Sequence, residues 1–277
     1  MIAKLNNRAL VRFIGDESAE FLNDLITADT VQLDHGIVRP SALLTPQGRV
    51  LFDLLISADD HGITIELDAD RRDIFIKKMT MYRMRRAIEI TADDRPVFAI
   101  INTPNEGPDG GLTDCRFEAV QDNKIQRYYG EGLIADADDE AWKGFRYRHG
   151  VAEGQGDLPP EKALPLEARL DLNQGISFDK GCYIGQEVTA RTRYRGLIKR
   201  CYLPVRIAGD VTTPCDLEQN GKNAGQLLGA CLDQDGWLGL ASLRLEALDQ
   251  GADITAAGQV ITPIYPERIM PLPAKKD

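Results

Sequence analysis

The chain has 277 residues, of which 43% are apolar, and a formal net charge of −10. This size suffices for one large domain or roughly two to three modest ones with a buried core, and the negative charge argues against broad binding to nucleic acids or anionic membranes. No apolar run approaches the roughly eighteen residues of a membrane helix. Five cysteines without a Cys-x-x-Cys pair or a nearby histidine argue against a disulfide scaffold or a metal site.

The N-terminal residues Met1 to Arg8 lack the apolar centre of a secretory signal, and Asp16 and Glu17 soon follow, unlike an acid-poor transit peptide. We therefore expect a cytoplasmic protein.

Strand and helix patterns alternate through the first part of the chain. Residues Leu10 to Ile14 predict a strand, and the apolar spacing after Gly15-Asp16 predicts a helix that Asp16 or Ser18 would cap. Two strands, 41–44 and 49–57, flank the turn sequence Thr45-Pro46-Gln47-Gly48 and predict a hairpin. A strand over 62–67, a helix over 70–86, and strands over 87–91 and 97–101 follow.

Turn residues and short strands dominate the later part of the chain. The Pro- and Gly-rich stretch from Thr103 to Gly111 predicts a surface connection between subdomains. Beyond Arg200, short strand patterns at 202–207, 226–232, 237–245 and 254–261 alternate with turn signals and predict a small antiparallel barrel or sandwich.

The segment from Phe178 to Glu187 contains the octet Lys-Gly-Cys-Tyr-Ile-Gly-Gln-Glu, beginning at Lys180, and continues through Arg191 to Tyr194-Arg195-Gly196. Upstream stand Thr27-x-Asp29, then Thr45-Pro46-Gln47-Gly48-Arg49 with Asp53, and then Tyr82-Arg83-Met84-Arg85. These motifs resemble, in this order, those of the YgfZ family, and the resemblance runs from about Leu10 to Arg200. The related glycine-cleavage aminomethyltransferases have an aspartate where this chain has Cys182.

The resemblance implies an α+β, aminomethyltransferase-like fold, in which three small domains form a ring around a central folate cleft and a C-terminal antiparallel β-barrel follows. We assign residues 1–200 to the folate-binding region, with two interleaved α+β subdomains, and residues 201–277 to the barrel. The implied function is tetrahydrofolate binding in support of iron–sulfur cluster assembly or repair, and indirectly of iron–sulfur-dependent tRNA modification. The implied partners are a reduced folate and iron–sulfur assembly or client proteins, with no direct nucleic acid, no membrane and no resident metal.

Cys182 is the candidate functional thiol, and Lys180 is assigned with it to the candidate catalytic site. Gly181 and Gly185 allow sharp turns of the backbone around it, and Lys180 and Arg191 are nearby cations that favour a thiolate, which Glu187 opposes. The alternative is a small buried apolar side chain, the commoner fate of a cysteine outside a disulfide. Cys201 and Cys231 fall in strand patterns and are interpreted as structural, whereas Cys115 and Cys215 lie near turn residues and could be exposed.

A folate site needs a carboxylate, an apolar slot and a cation. By resemblance, Asp53 contacts the pterin, although a polar residue on the exposed face of a strand is an equal alternative. The other residues assigned to cofactor binding are Gln47, Arg49, Tyr82, Arg83, Gln186, Glu187 and Arg191. Arg83 and its basic neighbours can equally form a solvated helix end.

Arg191, Arg193 and Arg195 alternate with other residues, so in an extended segment they would share one face and form an anion site. The alternative is a charged edge strand.

Three functions remain open at this point. The first is a folate-dependent assembly or repair factor that uses Cys182. The second is a one-carbon, aminomethyl transferase in which Asp53 positions or protonates the folate. The third is a non-catalytic scaffold that docks iron–sulfur carriers, or that holds a bridging cluster partly through Cys182.

Overall fold

A computed structural model describes residues 1–102, 107–118, 120 and 123–273. Two β assemblies dominate this part of the chain, a nine-stranded sheet and a closed six-stranded barrel. Residues 103–106 of the predicted surface connection lie outside the described residues.

The sheet is mostly antiparallel, with strand order β1-β7-β9-β8-β3-β4-β5-β2-β6 and one parallel pair between β3 and β8. Its strands are β1 Ile2–Lys4, β2 Arg8–Ile14, β3 Ile37–Leu44, β4 Val50–Asp59, β5 Gly62–Asp68, β6 Glu89–Asp93, β7 Val97–Asn102, β8 Leu112–Asp114 and β9 Lys124–Tyr129. The predicted hairpin of β3 and β4 is confirmed, with Thr45 and Arg49 closing its turn.

Six α-helices lie in the described residues. They are α1 Ser18–Asn23, α2 Arg72–Arg83, α3 Asp139–Arg148, α4 Gly154–Asp157, α5 Gln186–Arg195 and α6 Leu245–Leu248. Helix α2 buries Phe75 and Met79, which are four residues apart and therefore lie on one face. Both pack in the main core of the sheet, where the Phe75 ring contacts Phe52 at 5.2 Å between centroids. The predicted cap of α1 is wrong, because Glu17 holds that position without a side-chain hydrogen bond.

The barrel follows α5 and confirms the antiparallel barrel predicted for this region. Its strands are β10 Arg200–Ile207, β11 Cys215–Gln219, β12 Lys222–Asp233, β13 Gly236–Arg244, β14 Ile254–Ala256 and β15 Gln259–Pro263, in the order β10-β13-β12-β11-β14-β15. The fold is α+β as expected, whereas the division into domains 1–200 and 201–277 stays a prediction. Within the described residues, no helix has the length and apolar character needed to cross a membrane.

Candidate functional site

The loop that carries Cys182 precedes helix α5 and presents the thiol to solvent. Cys182 is exposed, whereas the adjacent Tyr183 is only 6% exposed. The Tyr183 side chain packs in a core that includes Leu44 from β3 and Leu240 from barrel strand β13. Because the neighbouring aromatic side chain is anchored in this shared core, the direction of the loop is fixed. The interpretation of Cys182 as a buried apolar side chain is therefore wrong.

Two glycines bring the two sequence motifs into direct contact. Gly48 and Gly185 both adopt left-handed conformations, with φ of 72° and 81°. A Cβ on Gly185 would lie 2.6 Å from the Thr45 carbonyl oxygen and 3.1 Å from the Gly48 Cα, and a Cβ on Gly48 would lie 2.9 Å from the Val188 Cβ. Neither position tolerates a side chain without movement of its neighbour, so the β3–β4 turn and the start of α5 require glycine on both sides.

Gly181 differs from Gly185. It has no positive φ, and a Cβ placed on it would meet no atom within 4 Å. The prediction of a loop turned by two glycines therefore holds for Gly185 and not for Gly181.

The Lys180 side chain fastens the Cys182 loop to the segment that follows α1. Its ammonium donates hydrogen bonds to the carbonyl oxygens of Asn23 at 2.6 Å, Ile26 at 2.7 Å and Ala28 at 2.8 Å. Burial lowers the pKa of Lys180 to about 8, opposed by the charges of Asp29 and Asp24. Because three main-chain acceptors occupy the ammonium, the geometry supports a positioning role for Lys180, two residues before the thiol.

The other four cysteines are less accessible than Cys182. Cys201 is fully buried and Cys231 nearly so, as expected for structural residues. Burial raises the pKa of Cys201 to about 11 and that of Cys115 to about 12. Cys115 is buried, so its expected exposure is wrong, whereas Cys215 is half-buried. The thiol most open to a partner is therefore that of Cys182.

Asp53 is buried, so the alternative of an exposed polar strand residue is wrong. Its carboxylate accepts a hydrogen bond from the Gly154 N–H at 2.8 Å, and its Oδ2 lies 3.6 Å from the Arg8 Nη1. Burial raises the pKa of Asp53 to about 6, and Arg8 and Gly154 limit the rise. The carboxylate is thus already bound by groups of the chain itself.

A buried network of arginines and carboxylates surrounds Asp53 and was not found from the sequence. Glu66 accepts hydrogen bonds from Arg8 Nε at 2.8 Å and from Arg127 Nε at 3.1 Å. Glu153 pairs with Arg127 and, at 2.8 Å, with Arg116. All of these side chains are at most 3% exposed. Burial opposes the ionisation of Glu153, but the arginines outweigh it and hold the pKa of this carboxyl well below its usual range.

The network extends to helix α3. Trp142 donates its Nε1–H to Glu153 at 3.0 Å, and Arg146 donates to Asp157 at 2.7 Å. A single signal in the sequence, a charged residue inside an apolar strand pattern such as Glu66 within β5, hints at this network. Such a signal does not show which partners a residue will meet.

The residues assigned to cofactor binding separate into two groups. Gln47, Arg49, Gln186, Glu187 and Arg191 lie in or beside the two motif segments joined by Gly48 and Gly185. In this first group, Arg49 donates to the Lys162 carbonyl at 2.7 Å and Gln186 donates to the Gly181 carbonyl at 3.4 Å.

Tyr82 and Arg83 form the second group, at the end of α2, where they line a separate cavity of about 570 Å³. Arg83 donates to the Ile88 carbonyl at 2.7 Å. The two groups therefore do not line one wall, and Asp53 lies in a third location. The binding roles of all these residues stay predictions.

The arginine stripe expected of an extended segment is wrong. Residues Gln186–Arg195 form helix α5, which Gly185 and Gly196 bound at either end in left-handed conformations. In a helix, Arg191 and Arg195 share a face because they are four residues apart, and Arg193 points elsewhere. The Arg193 guanidinium lies over the Phe178 ring, 3.8 Å from its centroid.

Two cavities bear on folate binding. The void beside Asp53, walled by Arg116 and Arg268, has a volume of about 20 Å³, which is room for about one water molecule. A pterin at Asp53 would therefore require these arginines to move.

The second cavity has a volume of about 660 Å³ and falls within the usual range of small-molecule sites, about 300–1,000 Å³. Its walls include the carboxylate of Asp29, the Phe178 ring and the cations of Arg39, Arg193 and Lys180. This set contains the carboxylate, the aromatic surface and the cation that a reduced folate requires.

Comparisons with known proteins agree with this architecture. Residues 199–271 match the family model described as the CAF17 C-terminal beta-barrel domain. The whole chain resembles the crystal structure of glycine cleavage system aminomethyltransferase T from Bartonella henselae, with a TM-score of 0.71 over 96% of this chain and 85% of that one, at 12% identity. The fold is therefore aminomethyltransferase-like with a C-terminal barrel, as expected.

Two curated relatives resemble the chain over most of its length. The mitochondrial iron–sulfur cluster assembly factor IBA57 of Mus musculus is 31% identical over 88% of this chain and 78% of its own length. The protein of the same name from Homo sapiens is 32% identical over 76% of this chain and 67% of its own length. The expectation of a cytoplasmic location is wrong, since the names of these relatives place them in mitochondria.

Proposed function

Because the chain belongs to the family of IBA57 iron–sulfur cluster assembly factors, we propose that it supports the assembly or repair of iron–sulfur clusters through the thiol of Cys182. The observation that carries this proposal is the exposure of Cys182 on a loop whose position is fixed on three sides. Tyr183 anchors the loop in the core, Gly185 contacts the β3–β4 turn and Lys180 binds the segment after α1. An exposed thiol on a rigid support can reach a partner without rearrangement of the fold.

A cluster handled here is cargo, and it requires ligands beyond this chain. Iron–sulfur clusters are held by several thiolates, and the described residues contain no group of three or more His, Cys, Asp or Glu side chains placed to hold a metal ion. Cys182 would release its proton and supply one sulfur ligand, while a partner protein supplies the others. The proposal therefore places the cluster between two proteins.

A reduced folate in the cavity beside Lys180 is part of the proposal, as the resemblance to the YgfZ family implies. Phe178 and the Arg193 guanidinium stacked on its ring would together support the flat pterin, and Arg39 would bind the anionic glutamate tail. A reduced folate bound there would carry one-carbon units close to the Cys182 loop. Any effect on tRNA modification would be indirect, through enzymes that need clusters.

The transferase alternative receives less support from the geometry. That reaction needs Asp53 beside the folate, but Arg8 and Gly154 already bind this carboxylate and the adjacent void is about 20 Å³. The scaffold alternative differs from the proposal in one respect, because it does not require a thiol at residue 182.

The thiol role can be tested in a strain that lacks the native protein, by measuring the activities of its iron–sulfur enzymes. Cys182→Ser should fail to restore these activities, whereas Cys215→Ser, a matched change at a half-buried barrel cysteine, should restore them. Full rescue by Cys182→Ser would leave only the scaffold function.

Folate binding can be tested separately by titrating the purified chain with tetrahydrofolate. We expect saturable binding that Phe178→Ala and Arg193→Met both weaken, since these residues line the cavity. Asp53→Asn should leave it unchanged, because Asp53 lies outside this cavity. Absence of saturable binding to the unaltered chain would remove the folate from the proposal and leave the thiol role standing.

A further inference from the structure

Met84 holds an exposed apolar side chain in a strained conformation. It follows the last residue of α2 and has φ of 53° and ψ of −108°, a region that side-chain-bearing residues rarely occupy. Its side chain is 84% exposed, the second highest value among the large apolar residues that are exposed. Strain of this kind concentrates at functional sites, where the surrounding structure maintains it for a purpose.

Met84 forms one wall of a groove between the ends of α1 and α2. We call it the α1–α2 groove, and it has a volume of about 570 Å³. Its apolar surface comes from Phe21, Leu25, Tyr82 and Met84, and its polar wall includes Arg85. Flexible methionine side chains adapt to the shape of a bound protein, and a groove lined by apolar side chains accepts a protruding apolar residue.

The groove is cationic within an acidic protein. Its walls hold three arginines, Arg83, Arg85 and Arg86, against two carboxylates, Glu17 and Asp24. Lys78 adds a further cation over the Tyr82 ring, at 5.3 Å from its centroid, whereas the whole chain has a net charge of −10. Arg85 is exposed and takes part in no ion pair within the described ranges. A positively charged patch on a negatively charged protein favours a partner whose contacting surface is negatively charged.

The groove and the Cys182 loop lie on two sides of one short segment. Arg86, in the groove wall, pairs with Asp24 at 2.9 Å, while Lys180 binds the carbonyl of the preceding residue, Asn23, at 2.6 Å. Leu25 in the groove and Ile184 in the loop pack on the same core. A protein bound in the groove would therefore contact the same segment that holds the Cys182 loop.

We propose that the α1–α2 groove docks the protein that exchanges clusters at Cys182, through a segment of that protein with acidic residues around one apolar side chain. This inference rests on the proposed function, because it supplies the partner that a cluster at Cys182 requires. An anionic membrane is a poorer occupant, since the protein as a whole would be repelled from it.

Met84→Gly tests whether the exposed side chain of Met84 contacts the partner protein. Glycine adopts the backbone conformation of residue 84 without strain, so we expect the thermal unfolding midpoint to rise by a few degrees. Rescue of iron–sulfur enzyme activities in the deficient strain should nevertheless fall, because the apolar contact is lost. Full rescue, or a lowered unfolding midpoint, would overturn the inference.

The charge of the groove is tested in solution with a synthetic peptide that has glutamates on both sides of a single leucine. We expect saturable binding, weakened on the order of tenfold by Arg85→Glu. Lys222→Glu makes the same charge change at an exposed barrel position and should leave the affinity unchanged. Equal affinities for the Arg85 variant and the unaltered chain would overturn the inference. So would binding to phosphatidylglycerol vesicles that depends on Arg85 while the peptide fails to bind.

The two proposals can fail separately. If Cys182→Ser abolishes rescue but Met84→Gly and Arg85→Glu rescue fully, the docking groove is wrong and the thiol function stands. If Cys182→Ser itself rescues fully, the thiol function is wrong whatever the groove variants do.

Discussion

The same sequence resemblance points to the Cys182 loop and to Asp53, yet one residue is exposed and the other is buried. Cys182 is exposed, and its neighbours Tyr183 and Lys180 provide its support. Asp53 is buried, and its carboxylate is bound by Arg8 and the Gly154 N–H. Asp53 would have to give up these partners before it could bind an external ligand, whereas the Cys182 thiol is open to solvent. The loop is therefore the stronger candidate for function, and the buried network around Asp53 is the stronger candidate for stability.

The largest expected effect is at the buried network around Asp53. Arg127→Met removes the cation between Glu66 and Glu153, whose side chains are at most 3% exposed. Leaving buried carboxylates with fewer partners should lower the free energy of unfolding by about 3–5 kcal/mol, measured by urea denaturation. Arg244→Met, which removes an exposed pair with Glu246, should cost less than about 1 kcal/mol. Similar losses in both variants would show that the buried network does not stabilise the fold.

A somewhat smaller effect is expected from the titration of Asp53. Burial raises the pKa of Asp53 from 3.8 to about 6, so the folded state binds a proton more tightly than the unfolded chain does. The contribution of protonated Asp53 to the free energy of unfolding is therefore complete below about pH 4. It is lost as the pH rises through about 6, a change of about 3 kcal/mol. Urea denaturation should show that the unaltered chain loses free energy of unfolding relative to Asp53→Asn as the pH rises across this range. A difference in free energy of unfolding that does not change with pH would contradict the raised pKa of the buried Asp53 carboxyl.

The glycine contact that supports the loop gives a third test. Gly185→Ala places a Cβ 2.6 Å from the Thr45 carbonyl oxygen at a positive φ, which should cost about 1–3 kcal/mol. Gly181→Ala is the matched control, because a Cβ there meets nothing, and its effect should stay within about 0.5 kcal/mol. Both free energies of unfolding are measured by urea denaturation. Equal effects would mean that the two motifs do not depend on each other.

Local patterns in the sequence predict the β3–β4 hairpin, helix α2 and the barrel strands β10, β12 and β13, because alternation, helical spacing and turn residues act over short distances. They miss β11, and the single run over 254–261 is the two strands β14 and β15. The alternation of Arg191, Arg193 and Arg195, taken alone, indicates an extended segment. The segment is a helix instead, and Gly185 and Gly196, in left-handed conformations, mark its two ends.

The surroundings of individual side chains could not be predicted. Nothing near Lys180 in the sequence shows that its ammonium reaches carbonyls about 150 residues away, and nothing near Asp53 shows that Arg8 lies opposite it. These contacts depend on how distant segments meet in the folded chain. The resemblance therefore identifies the motifs, whereas only the structure shows that Cys182 is open to solvent and that Asp53 is already bound within the chain.

The accessibility of the Cys182 thiol in the folded protein is tested most directly by native-state alkylation. The rate of reaction at each cysteine is followed by mass spectrometry. We expect Cys182 to react without unfolding, whereas the buried Cys201 and Cys231 should react only as fast as the chain unfolds globally. Protection of Cys182 to the same degree as Cys201 would contradict the account.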